Sequence, residues 1–195
     1  MTARLSQDAL DTLFYGARTA YAFESTPVTA EEIEAIHELT FLAPTGFNNQ
    51  PLRISWLVSE ESRERLMPYL NEGNRQNSAT APVIAILSFD RNWQKHFERF
   101  APHAAHMEQV FEPESVRMGY GRLNATVMAG FFIAAARAVG LDAGPMTGSD
   151  WDGIEHEFLD GLDQEPFLVV NLGHGLPAAR ERGFRFGFDE GSRVL

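Results

Sequence analysis

A chain of 195 residues with 44% hydrophobic and 22% charged side chains is sized for one globular domain spanning 1–195, and nothing in it reads as a linker. The absence of cysteine excludes disulfides, thiolate nucleophiles and Cys-ligated metals, while a net charge of −11 with only 16 Lys and Arg disfavours nucleic acid. No apolar run approaches the roughly 18 residues of a membrane span and no basic stretch leads into an apolar one at the start, so a cytoplasmic protein without a membrane partner is expected.

Ser6 is a natural N-cap for a first helix, in which Leu10, Leu13, Phe14 and Ala17 follow the i, i+3, i+4, i+7 rule and predict one buried stripe. Arg18 follows, where the dipole of the helix C-terminus favours a cation. Thr29 with Glu32 forms the signature of a capping box, and Ile33, Ile36 and Thr40 then share a face of a second helix. That helix runs into residues 43–51, APTGFNNQP. Pro44 and Pro51 stiffen this loop, Gly46 is free to take positive φ, and Thr45, Asn48, Asn49 and Gln50 present hydroxyl and amide groups. Such a loop is either a surface turn or a mount for a planar ligand with mixed donors and acceptors.

Ile54, Trp56 and Val58 alternate as in a strand, and Leu66, Met67 and Leu70 mark a short helix after the polar residues 59–65. GNRQNSATAP (73–82) leads into the apolar run 83–87, which reads as a fully buried strand. Residues 90–118 mix Trp93, Phe97, Phe100 and Phe111 with His96, His103 and His106, and predict a mobile, lid-like helical excursion. No metal site is expected, because His103 and His106 lack a surrounding Glu-x-x-His or His-Glu-x-x-His pattern. The longest helix pattern covers 119–139, with Leu123, Val127, Phe131, Ala134, Ala135 and Ala138 at apolar positions and Gly140 as the stop. It is apolar around much of its circumference, which suits either the core or a subunit interface. Residues 141–150, LDAGPMTGSD, form a Gly- and Pro-rich turn, and 167–172 a second buried strand. In the tail, Arg180, Arg182 and Arg185 cluster beside Phe184, Phe186 and Phe188, giving either a solvated basic tail or a phosphate site. An α+β fold follows, with a central mixed or antiparallel sheet flanked by helices, since this order lacks the crossovers of an all-parallel sheet.

The order of these motifs carries a resemblance. Pro-Thr-Gly-Phe-Asn-Asn-Gln-Pro at 44–51 resembles the Pro-Ser-Ser-x-Asn-x-Gln-Pro segment of the nitroreductase-like flavoprotein family. ARTAYAF at 17–23 is similar to its Arg-Arg-Ser-x-Arg segment at Arg18 and Thr19. Gly-Asn followed by Ala-Pro, Gly-Leu-Asp-x-Gly-Pro-Met-x-Gly at 140–148 and an arginine ahead of Phe188-Asp189-Glu190 complete the series, and within the family it most resembles the malonic semialdehyde reductase type. The resemblance implies FMN, with NADH or NADPH as reductant, a small-molecule oxidant, and an intertwined homodimer holding two flavins at its interface. It assigns the FMN phosphate to Arg18, Thr19, Arg182 and Arg185. The flavin ring falls to Pro44, Thr45, Gly46, Asn48, Gln50, Asn74 and Asn77, with Pro145, Met146, Thr147 and Gly148 passing its edge. Tyr21 and Asn77 stand where the family often has cations, leaving Arg75 as another source of charge. No catalytic side chain is required, because the flavin itself carries the hydride, in keeping with the lack of a Gly-x-Ser-x-Gly elbow. Other expectations are a broad nitro or quinone reductase of the same fold, a flavin-binding protein with little turnover, or a hydrolase using the lid histidines.

Overall fold

A computed structural model describes residues 4–178 and 181–195. Ser6 caps α1 (Gln7–Leu10) by accepting from the Ala9 N–H, and α1 runs straight into a π-helical turn, Asp11–Tyr15. The expected buried stripe does not form: no residue of either piece is buried, and Phe14 is 57% exposed. The i→i+5 spacing of a π turn carries apolar positions off the face that a 3.6-residue period would keep them on. The Thr29–Glu32 capping box opens α2 (Ala30–Thr40), which buries Ile36 and Thr40. Strand β1 (Leu52–Leu57) follows the loop. The polar stretch after Ser59 is itself helical, as α3 (Glu60–Leu66), because Ser59 caps it and only Leu66 needs burying. Asn71 caps α4 (Glu72–Ser78), a helix the sequence did not announce. Next come β2 (Val83–Asp90), α5 (Phe97–Phe100) between 3₁₀ turns at Trp93–His96 and Pro102–Phe111, and the 25-residue α6 (Glu114–Ala138). Strand β3 (Asp142–Met146), α7 (Trp151–Phe158), β4 (Gln164–Gly173) and a terminal turn, α8 (Phe188–Gly191), complete the chain.

The four strands form one sheet in the order β1-β2-β4-β3 with every pair antiparallel. β3 was expected as a turn, since DAGPM looks like one. As an edge strand it tolerates a proline, which has no N–H to give to a further strand. Pro166 lies where the β2–β4 register shifts between Leu87 and Ser88, so its missing donor falls at an irregularity.

Alternation in β2 divides the core between two faces. Val83, Ala85, Leu87 and Phe89 pack with Ile36 of α2 and with Met128 and Phe132 of α6. Ile84 and Ile86 face the other way, with Leu66, Leu70, Met146 and Ile154. A strand buried on both faces reads as a continuous apolar run.

One expectation is corrected. In α6 the buried stripe is Gly121, Asn124, Ala125, Met128, Ala129, Phe132, Ala135 and Ala136, while Leu123, Val127 and Phe131 of the expected stripe are exposed. Two apolar stripes on one helix leave no moment by which to choose between them. The excursion between β2 and α6 is a packed unit: Trp93, Phe97 and Phe111 are buried around Ala101 and Ala104, with Tyr120 stacked against them. His103 and His106 are both exposed. The Gly140 stop is as expected. It takes φ +91°, with its N–H on the Arg137 carbonyl and the Leu141 N–H on the Ala136 carbonyl, a Schellman ending. Among the described residues no helix is long and apolar enough to cross a membrane.

Candidate functional site

The π turn leaves a cluster of backbone carbonyls at its C-terminal end, and arginines gather on them. Arg18 donates to the carbonyls of Tyr15, Gly16 and Ala17, and Arg182 to those of Phe14, Tyr15 and Ala17. Arg137, from the last turn of α6, donates to Leu13. Arg185 bonds only to the carbonyls of Gly183 and Phe184. Arg18, Arg137, Arg182 and Arg185, with Thr19 and Tyr21, line one cleft of about 580 Å³. None of the four has an ion pair among the described residues, and Arg180 lies outside them. Partial desolvation, then the charges of Arg18 and Arg185, push the Arg182 guanidinium below its ordinary value. Burial lowers Arg137 too; Asp142 opposes this and Arg182 adds to it. Four like charges line this cleft, with Glu181 as a carboxylate on the same wall, in a chain of net charge −11. Arg137 escaped the sequence reading because a lone Arg one turn before a Gly stop reads as a dipole cap.

Thr19 and Tyr21 are also walls of a second cleft, of about 290 Å³, completed by Asn74, Asn77, Pro145, Met146 and Thr147. The two lobes are therefore contiguous. Local chemistry explains the second one. Asn74 and Asn77, three apart on α4, share a face, whereas Arg75 lies off that face and lines neither lobe, so it brings no charge there. Asn74 Nδ2 donates to the Thr147 carbonyl at 2.5 Å, which leaves its Oδ1 as an acceptor. Gly148 takes φ +81°, and a Cβ there would lie 2.6 Å from Asn71 Nδ2, so the turn after β3 requires glycine. Gly144 is needed for close approach: a Cβ would lie 2.5 Å from the Ala20 carbonyl, whose residue donates its N–H to Ala143. This contact lays the segment around Ala20 along β3 and brings Thr19 to the same cleft as Met146.

The loop holding Pro44, Thr45, Gly46, Asn48 and Gln50 lines neither lobe. It precedes β1 at one edge of the sheet while Thr147 follows β3 at the other, three strand spacings or about 14 Å across. Its stiffness comes from elsewhere than expected. Positive φ falls on Phe47, Asn48 and Gln50 rather than Gly46. Gly46 instead makes room for Tyr120, whose hydroxyl would lie 1.8 Å from an added Cβ, and gives its N–H to Asn124 Oδ1 at 2.8 Å. The Phe47 ring packs on Phe97, Asn48 Nδ2 donates to the Phe100 carbonyl, and Gln50 Nε2 donates to Asn48 Oδ1. Thus ten of the fifteen expected positions gather at one end of the molecule, nine of them lining the joined lobes with Gly148 in the adjoining turn, and the loop five lie apart.

Residues 15–174 match the model of the Nitroreductase family. A protein of Streptomyces coelicolor described as a candidate NADH dehydrogenase/NAD(P)H nitroreductase is 44% identical over 192 residues, 97% of each chain. A candidate nitroreductase of Exiguobacterium sibiricum, solved in complex with FMN, superposes with a TM-score of 0.85 at 20% identity over the whole of both chains. A candidate NAD(P)H:FMN oxidoreductase of Staphylococcus epidermidis gives 0.81 at 19% identity, covering 100% of this chain and 99% of its own. At such identities the structural matches establish the fold: helices around a four-stranded antiparallel sheet.

Proposed function

Because the chain belongs to the Nitroreductase family, we propose that it is an NAD(P)H-dependent oxidoreductase working through FMN, as a single flavin-binding domain in the cytoplasm. The observation that carries this is the pair of joined lobes, one with four arginines and the other with amides. Arg18, Arg137, Arg182 and Arg185 suit a phosphate dianion; Asn74, Asn77 and the backbone at Thr147 suit the donors and acceptors on a ring edge. FMN, when bound, supplies hydride transfer; the chain supplies binding, orientation and exclusion of water.

A homodimer accounts for what one copy leaves incomplete. Leu123, Val127 and Phe131 on α6 and Phe184, Phe186 and Phe188 in the tail are all exposed, a quantity of apolar surface that a monomer seldom leaves in water. A second copy packed on them would bring its Thr45–Gln50 loop to the ring lobe of the first. NADH or NADPH and then the oxidant would use the same face in turn. For the oxidant, quinones and nitro compounds need only an aromatic-walled slot. A small 3-oxo acid such as malonic semialdehyde, favoured by the Gly-Leu-Asp-x-Gly-Pro-Met-x-Gly motif, needs a free cation. Arg122 is paired with Glu165, and Arg117 is bound to the carbonyls of Arg91 and Glu112.

Anaerobic mixing of the FMN-loaded protein with NADH and with NADPH tests the activity. The flavin absorbance should bleach with at least one of them and return on adding a quinone or nitro compound. Bound FMN that neither nucleotide bleaches would leave a flavin-binding protein without turnover.

A further inference from the structure

A polar cluster lies beneath the amide lobe, behind its lining. Asn171, in central strand β4, is fully buried between the equally buried Val170 and Leu172, a place where packing alone would put an aliphatic residue. Its Nδ2 donates to the Asn77 carbonyl at 3.1 Å and lies 3.8 Å from Met146 Sδ. The amide orientation is fixed, since only an N–H can face a carbonyl oxygen. Buried Ser78 places its hydroxyl 3.8 Å from the same sulfur. Asn171 Oδ1 has no partner among the described residues, a cost that an apolar residue would avoid.

What the amide does in exchange is to join two walls of one lobe. The Asn77 carbonyl is one of those left unpaired where α4 ends, and Met146 ends β3; Asn77 and Met146 both line the cleft. We infer that Asn171 is a positioning residue for the ring-binding lobe: it fixes α4 against β3 from below, with Ser78 as a second hold on Met146. This rests on the flavin reading of the lobe. Met146, otherwise a side chain with three free torsions, is held by two buried donors and so presents one shape to a planar ligand.

Riboflavin, the flavin without its phosphate, isolates the ring lobe. Asn171→Leu should keep the thermal stability of the wild type, yet lower the affinity for riboflavin and for FMN alike, each by about tenfold, and shift the visible band of the bound flavin. Ser78→Ala should act in the same direction and less strongly. Arg185→Ala, by contrast, should weaken FMN and leave riboflavin unchanged. If Asn171→Leu does not fold, Ser78→Ala and Met146→Leu decide the matter on the same two readouts. Folded variants with wild-type riboflavin affinity and an unshifted band would overturn the inference. A wild-type protein that binds neither flavin would overturn the flavin reading itself, and this inference with it.

Discussion

Asn77 lines the second cleft, and in the proposed binding mode its neutral amide stands where a cation would stabilise a reduced, anionic flavin. Asn77→Lys should therefore raise the reduction potential of bound FMN. A charge-assisted hydrogen bond is worth roughly 1.5–3 kcal/mol, or about 30–60 mV for a two-electron couple. Redox titration against a reference dye checks it, and an unchanged potential would place Asn77 away from the ring. A second prediction concerns Glu155, which Arg91 grips with two hydrogen bonds of 2.7 Å. Those bonds hold its carboxyl below the ordinary 4.5, with burial opposing. A depressed acid contributes stability above the unfolded value and loses it as pH falls through the folded one. With both side chains about a third exposed, the pair is worth only about 0.5–1 kcal/mol. Glu155→Gln should thus lower urea stability by that amount at pH 7, and the gap should close well below pH 4.5. A gap that persists in acid would assign the loss to packing.

At the level of elements, α6 carries one buried and one exposed apolar stripe, the second being the proposed interface. Phe132→Ala, in the buried stripe, should cost about 3–5 kcal/mol in any assembly state. Phe131→Asp, in the exposed stripe, should leave the secondary structure intact and shift sedimentation toward a monomer; an unchanged dimer would place the interface elsewhere. Caps were the most legible features of the sequence, because Ser6, the Thr29–Glu32 box and Gly140 act within one turn of themselves. β3 was illegible because its pairing with β4, not the propensity of DAGPM, makes it a strand. The choice of stripe on α6 depended on which face meets β2, a fact that no periodicity contains.

Over the whole molecule, the sequence motifs named fifteen positions but could not reveal how the fold divides them between the clefts and the loop. Thr19, Asn74 and Met146 converge because Gly144 lets the 18–20 segment lie on β3, while the Thr45–Gln50 loop, before β1 at the other edge of the sheet, is fixed to α6 by Asn124. Arg137, which joins the arginine lobe only through the packing of α6 beside the π turn, left no motif to find. We propose that this lobe holds the FMN phosphate. Calorimetric titration of the wild type and of Arg18→Ala and Arg185→Ala with FMN and with riboflavin tests it most directly. Each substitution should weaken FMN by about tenfold to a hundredfold, the worth of one charge-assisted contact, and leave riboflavin binding as it was. Equal losses for both ligands, or none for either, would contradict it.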